Sequence, residues 1–190
     1  LELRVNSNVS PQQWDALISK GDNSWRLALN ANGTVNFAAN GTTFGGLNST
    51  TSVTNGTWHH IAASYNGTTA NLYINGVLEA SSANTGNINN SAFQVAIGEN
   101  LQMTGRHFSG NIDEVRIWNT ARTAVQIASN AGICELVGNE AGLVAYYKFN
   151  QGFDAVNNTT ITQLTDATAN ANHGTLTNFA KTGTTSNFLA

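Results

Sequence analysis

Chemistry needs convergent side chains, and this sequence offers few that could converge. It holds 11 acidic residues, 8 basic ones, four histidines and one cysteine among 190 residues. Cleavage of a glycosidic bond with retention requires two carboxyl groups about 5 Å apart. On a strand that means positions i and i+2, which share a face. Asp113 and Glu114 are neighbours and so point to opposite faces, and no other strand-like run carries spaced carboxylates. Trp58-His59-His60-Ile61 likewise sends its two histidines to opposite faces, so a regular strand does not bring both to one metal. His107 and His173 have no partner at ligand spacing. Cys134 is single and reads as a small buried apolar residue rather than a reactive thiol. There is no Gly-x-Ser-x-Gly elbow and no phosphate loop. Catalysis is therefore not expected. What remains is binding chemistry, from aromatic rings and planar amides. Trp14 is the one tryptophan outside a clear strand motif, and it either packs its loop or stacks on a ring. Trp25, Trp58 and Trp118 are expected in the core or at its rim.

The elements that would position such groups follow from composition and periodicity. Charged residues are only 10% of the chain, net charge is -3, and polarity comes from 28 asparagines and 23 threonines with serine and glycine. Eight basic residues make no phosphate-binding surface, which excludes nucleic acid. No apolar run approaches the roughly 20 residues of a membrane span. Short runs alternate instead. Trp25, Leu27 and Leu29 alternate with Arg26, Ala28 and Asn30, and Val35, Phe37 and Ala39 with Thr34, Asn36 and Ala38. Asn32-Gly33, Asn40-Gly41, Asn55-Gly56, Asn66-Gly67 and Asn75-Gly76 punctuate them as turns, with positive φ expected at both residues of Asn32-Gly33. Further strands are read at 95–97, 112–118 and 143–149. One short helix is expected over 123–131, with Thr123 and Gln126 forming a capping box and Gly132 the stop. In the last forty residues Leu164, Leu176, Phe179 and Phe188 are scattered apolar anchors. The class is all-β, an antiparallel two-sheet sandwich or jelly roll with one short helix.

Four separated motifs carry a resemblance. Trp58-His59-His60-Ile61-Ala62, then Leu72-Tyr73-Ile74-Asn75-Gly76-Val77, then Ile97-Gly98, then Phe108-Ser109-Gly110-Asn111-Ile112-Asp113-Glu114-Val115-Arg116-Ile117-Trp118 resemble, in this order, the laminin G-like, pentraxin-related domains of the concanavalin A-like jelly rolls. The match covers roughly residues 1–131. The segment from Cys134, with Gly142-Leu143-Val144-Ala145-Tyr146-Tyr147-Lys148-Phe149-Asn150, resembles an extension found in surface proteins of Bacteroidetes-type bacteria. The division expected is a jelly-roll core over 1–133 and an extension over 134–190 that packs on or completes the same domain. Enzymes of this fold use a Glu-x-Asp-x-x-Glu run; Asn111 and Arg116 stand here where the resemblance would require glutamates. The resemblance implies calcium, held in pentraxins between an Asp-Asn pair before an early strand and an acidic loop after a later one. Asp22 and Asn23 lie at the first place, and Glu99, Asn100 and Gln102 at the second, with only Glu99 acidic in that loop.

Two functions fit. One is a non-catalytic carbohydrate-binding or adhesion module, calcium-assisted, of a secreted or cell-surface bacterial protein. Its partner would be a polysaccharide or a glycoprotein glycan, with Trp14, Asn84 and Arg106 as sugar contacts. The other is a structural spacer or assembly module of a large adhesin or filament with no small ligand. The chain begins at Leu1 with a strand-like run and reads as a piece of something longer. Since 143–149 looks like the opening strand of such a module, the tail is expected to supply a missing strand. It would do so within one chain, or by strand exchange with the next copy as self-association.

Overall fold

The computed structural model describes residues 1–153 and 156–182, and Phe188 lies outside them. Among the described residues the strands run β1 (Glu2–Asn6), β2 (Asp15–Ser19), β3 (Trp25–Leu29), β4 (Thr34–Ala39), β5 (Leu47–Ser52), β6 (His59–Tyr65), β7 (Thr69–Ile74), β8 (Val77–Ala83), β9 (Ala96–Ile97) and β10 (Asn111–Trp118). Helix α1 (Ala124–Ala131) follows, then β11 (Leu143–Tyr147), β12 (Gln163–Leu164) and β13 (Gly174–Thr175). One sheet has the order β11-β10-β1-β6-β7-β8 and faces a second of order β5-β4-β3-β2-β9; every pairing in both is antiparallel. This is the two-sheet sandwich that the alternation implies. Leu3, Val5, Leu27, Leu29, Val35, Phe37, Ile61, Leu72, Ile74 and Val115 meet between the sheets, each nearly free of solvent. Their alternating neighbours, among them Arg26, Ala28 and Asn36, occupy the outward face of the five-stranded sheet. No helix of the described residues is long and apolar enough to cross a membrane.

Several local expectations are corrected. β2 and β5 were not read from the sequence. β2 is buried along its whole length and so shows no alternation, while β5 is almost all Ser, Thr and Asn. The two turn types separate by loop length. At Asn75-Gly76 both φ values are positive, as a two-residue hairpin demands. At Asn32-Gly33 only Gly33 is positive, because residues 30–33 form a longer loop in which Gly33 N donates to Asn30 O and glycine alone takes the left-handed position. Each Asn-Gly-Thr turn at Asn32, Asn55 and Asn66 is closed by its own side chain: Oδ1 accepts from the N–H and hydroxyl of the threonine two residues on. Cys134 is exposed, not buried. Trp58 is 46% exposed, the open side of the rim.

The helix lies on the outer face of the six-stranded sheet. Thr123 and Gln126 form the expected capping box, and Gly132 ends the helix. β1 holds it down: Asn130 Nδ2 donates to the Glu2 carboxylate, and Arg4 donates to the carbonyls of Ala131 and Ile133 at its C-terminus, where a cation is favoured. Ile127 packs on Ala62 and Tyr73. The tail returns to the same sheet. β11 pairs with β10, Ala145 and Tyr147 enter the core, and Leu164 and Leu176 pack against it.

Asp166 fastens this return. Its carboxylate accepts from the N–H groups of Tyr146, Thr168 and Asn172 and from the Thr168 hydroxyl. Burial pushes its pKa up, but these hydrogen bonds outweigh burial and hold it below the usual carboxylate value. A lowered folded pKa gives stability that is present above the unfolded value, near 4, and is lost as pH falls through the folded one. Asp166→Asn is expected to cost about 2 kcal/mol at neutral pH. Thermal unfolding of both proteins across pH should show the gap closing below about pH 4.

Candidate functional site

The outer face of the five-stranded sheet, covered at Ala16 and Ala28, gathers a group of side chains that the core cannot account for. Trp14 precedes β2 and has φ of 70°, a left-handed conformation that a bulky residue avoids at a cost of about 1–3 kcal/mol. The strain is held by Trp14 N, which donates to Leu29 O at 2.6 Å. The residue remains 38% exposed. Two guanidinium groups lie against it, Arg106 at 4.7 Å and Arg26 at 5.3 Å from its centre. Arg26 reaches the face from β3, where alternation turns it outward between Trp25 and Leu27. Arg106 arrives from the loop between β9 and β10, placed by a hydrogen bond from Ala16 N to Arg106 O and a parallel bridge between Ala16 and His107. Trp14 and Arg106, both read from the sequence as sugar contacts, are thus side by side. Arg26 was missed, although an arginine at an outward position of an otherwise apolar and small strand was its signal.

Asp22 ties the cluster together. Its carboxylate accepts from Arg106 at 2.7 Å and from Asn100 Nδ2 at 2.8 Å, and pairs with Arg26 at 3.3 Å. Burial raises its pKa, and the arginines and Asn100 more than offset this, so it stays ionised below the usual range.

The residues that the resemblance offered to calcium are all close to this cluster, yet they do not form an oxygen cage. Asp22 faces two cations. Asn100 turns its Nδ2 toward Asp22, and its Oδ1 accepts from the N–H groups of Gln102 and Met103. Gln102 Oε1 accepts from Asn23 N. Glu99 accepts from Asn100 N with one oxygen and meets His107 Nδ1 at 2.5 Å with the other. Calcium wants six to eight oxygens; here the space beside Asp22 holds guanidinium groups. No group of three or more His, Cys, Asp or Glu among the described residues is placed to hold a metal.

Asn84, the third residue read as a sugar contact, does not join Trp14 and Arg106. It is buried after β8, where its Oδ1 accepts from the N–H groups of Thr43 and Thr85. Its task is to fasten a loop. The carboxylates that do converge are Glu2 and Glu114, both against Arg116 and both buried on the helix-covered side of the other sheet. Asp113 Oδ1 accepts from Glu114 N.

A family profile of laminin G type, described as the concanavalin A-like lectin/glucanases superfamily, matches residues 1–128. Among solved structures the chain is similar to a Bacteroides ovatus protein described as carbohydrate-binding, with TM-score 0.74 and 22% identity over 93% of this chain and 51% of that one. The chain therefore spans about half that protein's length. It is also similar to a heptameric SAP-like pentraxin from Limulus polyphemus, with TM-score 0.53, 19% identity, 70% of this chain and 69% of that one. Domain 4 of a GH43 extracellular arabinanase from Geobacillus stearothermophilus, in complex with arabinotriose, gives TM-score 0.52 and 22% identity over 68% of this chain and 64% of that one. At these identities the likeness is one of fold. A comparison with curated proteins finds no match. The chain belongs to the laminin G-type, concanavalin A-like family whose profile it matches.

The ion cluster yields a stability test. Asp22→Ala leaves Arg26 and Arg106, each mostly buried, facing one another without a counter-charge. The loss expected is about 2 kcal/mol, less than for a fully buried pair because the site is partly solvated. Chemical denaturation of Asp22→Ala against the parent protein measures it, and calcium should not restore the difference.

Proposed function

We propose that this jelly roll is a non-catalytic carbohydrate-binding module of a secreted or cell-surface bacterial protein, and that it binds glycans across Trp14 without calcium. The observation that carries the reading is Trp14 itself: a partly exposed residue, set by a strained backbone, with two arginines over its ring. An aromatic ring with two guanidinium groups lying over it suits a sugar, whose apolar patches pack on the ring while its hydroxyls take polar partners beside it. The strain fits a platform fixed before ligand arrives, which lowers the ordering cost of binding. The likeness to proteins described as carbohydrate-binding, or solved with arabinotriose, supports the same reading. Calcium independence rests on the arginines at Asp22. The absence of catalysis rests on Glu2 and Glu114, which are sealed and already paired.

A glycan array followed by calorimetry tests this. Binding to at least one polysaccharide-derived glycan is expected, unchanged by a chelator. Trp14→Ala should weaken it at least tenfold while unfolding stays cooperative. A module that binds no glycan is a spacer or assembly unit instead, and binding lost on chelation returns calcium to the site.

A further inference from the structure

Beside Trp14 lies an open depression of about 480 Å³ whose rim includes Gln13, Asn30, Asn32, Thr34, Asn48 and Ser49. None of these side chains is ionisable. Gln13 is the chain neighbour of Trp14, and Asn30 shares a face of the sheet with Arg26, four positions along, because Arg26, Ala28 and Asn30 alternate outward. At about 3.3 Å per residue the depression begins roughly 13 Å from the arginine pair. That is more than one sugar ring spans, and within reach of a short chain of them.

The amides are locked to one another. Gln13 Oε1 accepts from Ala31 N at 3.0 Å, and Gln13 Nε2 donates to Asn30 Oδ1 at 2.9 Å. Asn30 Nδ2 donates to Thr34 Oγ1 at 2.9 Å and to Asn48 Oδ1 at 3.0 Å. Asn48 Oδ1 also accepts from Asn36 Nδ2 at 2.9 Å, and Asn36 is itself buried. The ladder Gln13–Asn30–Asn48–Asn36 therefore fixes amide planes across two strands, β4 and β5, the loop between β3 and β4, and the segment before β2. Two donors are left over: among the described residues, the Nδ2 groups of Asn32 and Asn48 have no protein acceptor. A polar wall whose members are already oriented loses little side-chain freedom when a ligand arrives.

Resting on the reading of Trp14 as a sugar platform, we infer that this amide-lined depression is a second sugar subsite, and that it takes a neutral sugar unit of a chain another unit of which lies on Trp14. Hydroxyl groups donate and accept, and match amides that do both. A carboxylate or ammonium desolvated here would find no counter-charge, whereas the Trp14 end offers guanidinium groups. The ligand is an oligosaccharide or polysaccharide chain rather than a single terminal sugar, and recognition runs along the outer face of the five-stranded sheet.

The test uses the whole chain and the neutral arabino-, xylo- and manno-oligosaccharide series, from free sugar to hexasaccharide, measured by calorimetry. Asn48→Asp is the informative variant. A carboxylate keeps the oxygens that accept from Asn30 and Asn36, so the ladder stands, while the free donor is replaced by a charge. Gln13→Ala is the second variant, and thermal unfolding verifies that both fold. For at least one series the parent protein should bind the trisaccharide at least tenfold more tightly than the free sugar. Both variants should lose that gain yet bind the free sugar as the parent does, and Trp14→Ala should lose both. If length brings no gain, or if Asn48→Asp and Gln13→Ala keep it while Trp14→Ala abolishes binding, the subsite is wrong and the Trp14 reading survives. If the parent binds none of these series, the neutral-chain inference falls; acidic glycans then decide the fate of the Trp14 reading alone.

Discussion

The guanidinium of Arg116 is the interaction on which the arrangement of the six-stranded sheet turns. Only 1% of this residue is exposed, and it sits in the middle of β10. A charge so placed is tolerable only when paired. Glu114 lies two positions back on the same strand and bonds it directly, while Glu2 reaches it from β1. Glu114 in turn accepts from the Tyr146 hydroxyl at 2.5 Å, and Tyr146 belongs to β11. Glu2 also accepts from Asn130 on α1 and meets His60 of β6. One cation thus fixes the mutual positions of β1, β10 and β11, and through Glu2 those of β6 and the helix. Burial raises the pKa of Glu114, whereas for Glu2 it is outweighed by bonds to His60 and Asn130, which hold that carboxyl low. Two acids on one cation are held in opposite senses by their surroundings.

This closure divides labour between the sheets. The helix and the returning tail cover the six-stranded sheet, and its polar groups are spent on one another. The five-stranded sheet keeps an outward face with small residues at Ala28 and Ala38, amides at Asn30, Asn36 and Asn48, and Arg26. Polar groups there are linked in a row along the surface rather than gathered round a buried charge, and the aromatic ring that rises from that face does so through a backbone conformation the sheet itself enforces.

The sequence made the sandwich legible because alternation and Asn-Gly turns are local signals. The capping box of Thr123 and Gln126 is local too, and so is the outward turn of Arg26. What resisted reading was relational. Trp14 and Arg106 could each be nominated, but only the pairing of Ala16 with the 106–107 segment brings them together. Asp22 was visible as a loop carboxylate before a strand; that its partners are arginines depends on two other segments arriving beside it. Asn84 was read as a loop amide that meets a sugar, and its burial follows from contact with Thr43 across a fold that no spacing rule describes. Asn30 passed for the polar side of an alternating strand and Asn48 lay in a run not read as a strand, since nothing in their neighbours along the chain reveals a ladder across it.

The uncharged ladder also has a kinetic consequence. Surfaces that recognise through charge draw partners in from a distance, and their association rates fall as salt rises. Amides exert no such pull. A neutral ligand taken up at Gln13, Asn30 and Asn48, as proposed, would arrive by diffusion alone, at a rate nearly indifferent to ionic strength, and its stay would depend on how many hydroxyls find partners at once. For a tethered module working on a long polymer, weak contacts that form and break quickly permit movement along the chain. Under the proposed function, firm attachment would then come from several such modules acting together, not from any one of them.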